Sequence, residues 1–261
     1  MSVFSSSVAE VVVRLRAAGC VFAEDEAALL ISAAPTQDGL DAMVGRRVAG
    51  EPLEHVLGWA DFCGLRVAVE PGVFVPRPRT AFLIEQAVAL AGPIEGTPVV
   101  LDLCCGTGAM GAAVASRLDR AELYAADLDP AAVRCARRNL PAAHVYEGDL
   151  YAPLPAALLG RVHLLIASPP YVPSRSIGLL PAEARLHEPL LALDGGGDGL
   201  DVVRRVIAEA PRWLAPGGHL LVETSERQAE ATASALTRAG LAARAMVSRE
   251  LDATAVIGTR P

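Results

Sequence analysis

From Val99 onward, short apolar runs alternate with longer stretches of helical pattern, and few folds satisfy that rhythm. Val99-Val-Leu-Asp-Leu103 and Val162-His-Leu-Leu-Ile-Ala167 have the length and apolar continuity of strands buried on both faces. Glu122-Leu-Tyr-Ala-Ala126 runs into Asp127, and His219-Leu-Leu-Val-Glu223 follows Pro216-Gly217-Gly218. Between the strands lie an Ala-rich helix after a glycine turn and a helix opened by Asp129-Pro130, with Asp as N-cap and Pro in the first turn. Further helices are predicted over 201–214, stopped at Pro216, and over 227–240, with a final short strand over 253–257. Strand, helix, strand in this order predicts an α/β fold, a mainly parallel sheet covered on both faces.

The chain ahead of Val99 reads differently. Val8, Val11, Val12 and Leu15 are spaced for one helical face, and Gly19 is a stop. Further short helices are expected over 24–34, ended by Pro35, and 38–48. Such helices cannot hide their apolar faces alone, so they are expected to pack on something. Leu65, Val67 and Val69 alternate with Arg66, Ala68 and Glu70, and Gly58, Gly64 and Pro71-Gly72 punctuate the stretch as a hairpin. Thr80 is placed to cap a helix running to about Leu90. The expected division is a helical region 1–54, a β-hairpin linker 55–75 and an α/β domain 76–261.

Composition narrows the function classes. With 261 residues the chain buries a sizeable core without covalent staples. Cys20, Cys63, Cys104, Cys105 and Cys135 are odd in number and irregular in spacing, which supports neither a disulfide framework nor a zinc site. The five histidines show no metal-ligand spacing either, so no metal is expected. The formal charge is −7, a poor endowment for gripping nucleic-acid phosphates, and no stable nucleic-acid binding is expected. No apolar run approaches membrane-spanning length, and the first residues lack the basic start of a secretory signal, so the expected location is cytoplasmic. All the basic residues are Arg, and Asn139 is the only asparagine; both read as codon bias.

The chemistry gathers at two strand ends. After the first strand comes Asp102-Leu-Cys-Cys-Gly106-Thr-Gly108-Ala-Met-Gly111, and Asp127 lies 21 residues beyond Gly106. Glycines let a ligand approach the backbone, the helix N-terminus offers unpaired N–H groups, and an acid ending the next strand accepts ribose hydroxyls. The glycine pattern alone does not separate NAD from S-adenosylmethionine. A carboxylate at Asp102 suits the ammonium of a methionine moiety and suits a pyrophosphate poorly. After the strand 162–167 comes Ser168-Pro169-Pro170-Tyr171. Two prolines remove two donors and stiffen the backbone, leaving carbonyl acceptors with a short polar residue and a flat ring beside them. That arrangement suits a planar NH2 group held by both hydrogens. Asp149 lies where it could reach an adenine amino group, or is a solvated turn acid. Asp194-Gly-Gly-Gly-Asp-Gly-Leu200 reads as a flexible linker, with a place beside the substrate as the other reading. Cys104 and Cys105 read as small packing residues.

These residues resemble the HemK family of release-factor glutamine N5-methyltransferases over nearly the whole chain. The resemblance lies in Gly50-Glu-Pro-Leu-Glu-His-Val-Leu-Gly58, Phe62-Cys-Gly-Leu65, Val75-Pro-Arg-Pro78, the loop 102–108, Asp127, Asp149 and the segment 188–200. It implies a Rossmann-like class I methyltransferase sheet with a small helical N-terminal substrate-recognition domain. It implies S-adenosyl-L-methionine bound by Asp102, Gly106, Thr107, Gly108, Asp127, Leu128, Asp149, Leu150 and Ser168. It further implies methyl transfer to a glutamine side-chain amide of a protein substrate, a peptide chain release factor, with Ser168, Pro169 and Tyr171 catalytic and Ser168 to Tyr171 binding the substrate. In the family the tetrapeptide is usually Asn-Pro-Pro-Tyr, and the Asn oxygen and following proline carbonyl hold the amide; here Ser168 stands in that place. Arg79 and Ala81 stand where the family tends to carry acids, and Glu223-Thr224-Ser225 where it carries Glu-Ile-Gly. Ser-Pro-Pro-Tyr is also similar to the motif of DNA cytosine N4-methyltransferases, so amino-group methylation of a DNA or RNA base is the alternative. A cofactor-binding protein without transfer is a third reading.

Overall fold

A computed structural model of the chain describes residues 8–92 and 94–261. In chain order the elements are α1 (Val8–Ala17), α2 (Ala23–Ala33), α3 (Gln37–Val48), α4 (Leu53–Leu57), β1 (Trp59–Phe62), β2 (Leu65–Ala68), α5 (Ala81–Ala91), β3 (Val99–Leu103) and α6 (Ala109–Ala115). Then follow β4 (Glu122–Asp127), α7 (Pro130–Asn139), β5 (His144–Glu147), β6 (Val162–Ala167), α8 (Ala182–His187), α9 (Leu190–Leu193) and α10 (Asp201–Trp213). The chain ends with β7 (Leu214–Thr224), α11 (Ala229–Arg238), β8 (Ala242–Ser248) and β9 (Ala253–Thr259).

The sheet has seven strands in the order β5-β4-β3-β6-β7-β9-β8. Pairing is parallel from β5 through β7, and β9 runs antiparallel to both β7 and β8. Apolar residues feed both faces, as a doubly covered sheet requires. In β3, Val100 joins the core under α5 and α6, whereas Val99, Leu101 and Leu103 join the core under α10 and α11. The chain starts in the middle of the sheet at β3, builds outward through β4 and β5, then crosses back to β6. That reversal leaves a crevice at the carboxyl ends of β3 and β6, the usual ligand position in such sheets. Leu103 and Ala167 are register partners, so the glycine turn and the diproline corner leave the sheet side by side.

The N-terminal helices hide their apolar faces chiefly on one another: Val11, Leu15, Leu30, Leu40 and Val44 form one cluster with Val56 of α4. Arg47 ties that cluster to α8, donating to Glu26 Oε2 at 2.6 Å and to Glu183 Oε2 at 2.8 Å. The β1–β2 hairpin sends Phe62 and Val67 into the core under α5 and α6. Asn139, at the end of α7, locks it there: its Oδ1 accepts from Ala68 N at 2.8 Å, and its Nδ2 donates to Ala68 O at 2.9 Å and to Thr107 O at 2.8 Å. The lone asparagine is thus a clamp between hairpin and glycine turn, and codon bias does not account for it.

Several local expectations change. Thr80 gives α5 no side-chain cap: it already has helical φ and ψ of −64° and −15° at the end of a short turn over Pro78–Thr80, and its hydroxyl donates to Glu223 Oε2 at 2.7 Å. Pro216-Gly217-Gly218 ends no helix but lies inside β7, where the pairing with β6 slips between Val162 and Leu164. A Cβ at Gly218 would stand 2.7 Å from Val162 O, so glycine lets the two backbones approach. The edge strands β5 and β8 carry too many polar and small residues to read as strands from pattern alone. The segment 194–200 is no flexible linker: Val172 N donates to Leu193 O at 3.1 Å, Gly195 N to Val172 O at 2.9 Å and Ser174 N to Gly196 O at 2.9 Å.

Candidate active site

The glycine turn is built from left-handed residues in a row of short steps. Cys104, Gly106 and Gly108 have φ of 55°, 54° and 76°. The two glycines differ in what demands them. A Cβ at Gly108 would stand 2.7 Å from Leu140 Cδ1, so packing against α7 requires glycine. A Cβ at Gly106 would meet nothing within 4 Å, so the protein itself keeps that space clear.

Asp127, at the end of β4, braces this turn. Its Oδ2 accepts from Gly106 N at 2.8 Å and its Oδ1 from Asp129 N at 2.9 Å. Burial raises its pKa, while those N–H groups pull the other way. Asp102 lies beneath the turn, fully buried, with Oδ2 accepting from Gly111 N at 2.8 Å. Its Oδ1 has no hydrogen-bond partner among the described residues, and burial pushes the carboxyl up to about 8. Burial also pushes the Cys104 and Cys105 thiols far up, which suits packing residues and not nucleophiles.

A cavity of about 200 Å³ opens above the turn. Gly106, Thr107, Asp127, Leu128, Asp149, Leu150 and Ser168 line it, whereas Asp102 and Gly108 do not. Leu128 is 48% exposed on this wall, an apolar surface of the kind that a flat ring covers. Asp149 is not free: Arg205 of α10 donates to its Oδ2 at 2.6 Å. Thr80, Arg77 and Arg205 also line the cavity, and nothing in the sequence pattern singled out Arg205.

A second cavity, of about 330 Å³, lies on the other side of the diproline corner, lined by Ser168, Pro169, Tyr171 and Arg79 among others. Ser168, Phe74, Arg77 and Ala192 border both cavities. Pro169 C=O accepts no hydrogen bond among the described residues. The glycine segment buttresses the corner from behind: a Cβ at Gly195 would stand 2.6 Å from Pro170 O, and one at Gly199 would stand 2.3 Å from Tyr171 O. Gln228 Nε2 adds a hydrogen bond to Tyr171 O at 2.9 Å.

Glu223, at the end of β7, is the residue that sequence reasoning passed over. It is buried, and its carboxyl gathers Thr80 Oγ1, Ser168 Oγ, Tyr171 Oη and Arg79 Nε. The available signal was an acid closing a buried apolar run at the same sheet end as Asp127. Burial and Glu223 together push the Tyr171 phenol up to about 12, so it stays a donor. The histidines sit elsewhere in packing roles: His55 Nε2 meets Val73 O at 2.8 Å, and His163 Nδ1 accepts from Val99 N at 3.0 Å.

The chain is similar to known proteins. The Methyltransferase small domain family matches residues 65–200. A release factor glutamine methyltransferase of Geobacter sulfurreducens is 37% identical over 202 residues, 76% of this chain and 69% of the relative. The chain belongs to the release factor glutamine methyltransferase family. The chain is also similar to the 4-amino-L-phenylalanine/4-methylamino-L-phenylalanine methyltransferase of Streptomyces pristinaespiralis, 40% identical over 75% of this chain and 68% of that protein. Among solved structures, a methyltransferase from Pyrococcus furiosus shares the fold, with a TM-score of 0.56 at 17% identity over 76% of this chain and 89% of that one. Among the described residues, no helix is long and apolar enough to cross a membrane.

Proposed function

We propose that this protein transfers a methyl group from S-adenosylmethionine to the side-chain amide nitrogen of a glutamine in a peptide chain release factor. The observation that carries the reading is the adjacency of the two cavities across Ser168, one faced by Asp127 and the other by the Pro169 carbonyl. Membership of the family supports the reaction and the substrate.

The residues present fit the cofactor. The space kept clear at Gly106, the fixed carboxylate of Asp127 and the apolar Leu128 and Leu150 match a ribose and a base. Asp102 and Gly108 stand off the cavity wall and serve the cofactor by holding the turn, Asp102 through the Gly111 N–H and Gly108 by packing on Leu140. We assign direct cofactor contact to Gly106, Asp127, Leu128 and Leu150 with Thr107, Asp149 and Ser168. When bound, S-adenosylmethionine supplies a methyl group activated on a sulfonium centre.

The chain's own residues do the rest. Ser168 Oγ and Pro169 C=O accept the two N–H hydrogens of the amide, these interactions strengthen as nitrogen becomes positive, and one of the two protons leaves to solvent after transfer to give the neutral N-methyl amide. Pro169 and Pro170 hold that corner rigid, so the nitrogen is aligned without a loss of loop entropy. Tyr171 lines the substrate cavity with its ring, and its hydroxyl is occupied by Glu223 and Arg79. The helical region 1–54, ahead of the hairpin 55–75 and the transfer domain 76–261, is assigned to holding the release factor. A protein substrate accords with the net charge of −7 and the substrate is met in the cytoplasm.

The second reading is an aromatic amine, because the Streptomyces pristinaespiralis relative is named for one. The test is transfer of labelled methyl to a purified release factor, to 4-aminophenylalanine, and to DNA and RNA. Label on the release factor alone, at a glutamine, is expected. Label on the aromatic amine or on nucleic acid with none on the protein contradicts the proposal.

A further inference from the structure

We infer that Glu223 is a positioning residue for the transfer: it draws the Ser168 hydroxyl hydrogen to itself, so that Ser168 turns lone pairs toward the incoming NH2 group. The inference rests on the reading of Ser168 as an acceptor of an amide hydrogen. A serine hydroxyl carries one donor and two lone pairs and rotates to suit its surroundings. Left alone, Ser168 would offer its hydrogen to the cavity as readily as a lone pair, and a hydrogen opposes an NH2 group. An amide oxygen in the same place has no hydrogen to misdirect.

The structure removes the ambiguity from behind the cavity wall. Glu223 is 4% exposed, and its oxygens receive hydrogens from four side chains. Oε2 accepts from Thr80 Oγ1 at 2.7 Å and Ser168 Oγ at 3.4 Å; Oε1 accepts from Tyr171 Oη at 3.3 Å and Arg79 Nε at 3.5 Å. Arg79 also donates from Nη2 to Tyr171 Oη at 2.9 Å, which occupies the phenol's lone pair and leaves its hydrogen for Glu223. A carboxylate offers acceptors only, so each hydroxyl on its rim points its hydrogen inward. Arg79 is part of the device, because it fixes one side of the carboxyl with groups that cannot accept.

That asymmetry makes Glu223→Gln informative. Arg79 has no acceptor, so the glutamine carbonyl oxygen stays on the Arg79 side and the NH2 turns toward Thr80 and Ser168. Ser168 then accepts from behind and sends its hydrogen into the cavity. The geometry is kept, and the polarity of one hydroxyl is reversed.

The experiment compares the full chain with Glu223→Gln, Ser168→Ala and the double variant, reading kcat on a release factor, S-adenosylhomocysteine affinity by calorimetry, and Tm. Glu223→Gln is expected to lower kcat by roughly ten- to a hundredfold with cofactor affinity kept. The double variant is expected to be no slower than Ser168→Ala alone, because the two side chains act as one unit. Unchanged kcat in Glu223→Gln, or losses that multiply in the double variant, overturns the inference. A substrate-free arm uses crystals of the wild type and of Glu223→Ala. One Ser168 rotamer in the first and several in the second supports the inference, and the same single rotamer in both overturns it. If the wild type moves no methyl to a release factor, the proposed function falls, and the crystals still decide whether Glu223 holds Ser168.

Discussion

Gly106 donates its N–H to Asp127 Oδ2 at 2.8 Å, so the acid that ends β4 holds the turn that follows β3. The same carboxyl is the acceptor assigned to the cofactor's ribose. Asp127→Ala therefore removes both a ligand contact and the brace of the turn. Calorimetry with S-adenosylhomocysteine is expected to show affinity lower by roughly ten- to a hundredfold, with kcat at saturating cofactor nearly retained.

Ser168 stands at the border of both cavities, and its hydroxyl is assigned to the reacting nitrogen. Ser168→Ala is expected to show the opposite split: kcat lower by roughly ten- to a hundredfold and cofactor affinity almost unchanged. Intact turnover in this variant removes Ser168 from the reaction.

Asp102 makes stability depend on pH. Its carboxyl has an ordinary value of 3.8 and is pushed up to about 8 by burial, with Asp127 adding in the same direction and the Gly111 N–H opposing. The folded chain holds a proton that the unfolded chain has lost, so this group favours the fold most below its unfolded value. The contribution falls steadily as pH rises from about 4 to about 8, and then levels off. Melting curves of the cofactor-free protein across that range are expected to show Asp102→Asn gaining on the wild type as pH rises. Parallel curves contradict the assignment.

The glycine segment offers a paired test. Gly195→Ala drives a methyl group to 2.5 Å from Gly199 O and 2.6 Å from Pro170 O, which the backbone relieves only by moving. A loss of about 1–3 kcal/mol in stability is expected, with kcat reduced because Pro170 shifts. Gly197 faces open space, and Gly197→Ala is expected to leave both the melting temperature and kcat near wild type.

The parts of this molecule legible in its sequence are those that a local pattern decides. β3 and β6 were readable as apolar runs because both of their faces are buried, and Asp129-Pro130 announced α7 because capping is local chemistry. The turn at 102–108 and the acid 21 residues beyond Gly106 were readable because spacing alone places them at adjacent strand ends. What stayed hidden depends on distant partners. Asn139 gains its meaning from Ala68, 71 residues away, and Thr80 from Glu223, 143 residues away. Gly195 and Gly199 are glycines because Pro170 and Tyr171 press on them, and composition by itself reads as flexibility.

The central claim is that a release-factor glutamine receives the methyl group, and mass spectrometry of that protein tests it most directly. The glutamine-bearing peptides are compared between cells that carry this protein and cells that lack it. A mass increase of one methylene, located on a glutamine side chain and absent from the deletion cells, is the predicted result. The same modified peptide in both, or an unmodified one in both, contradicts the account.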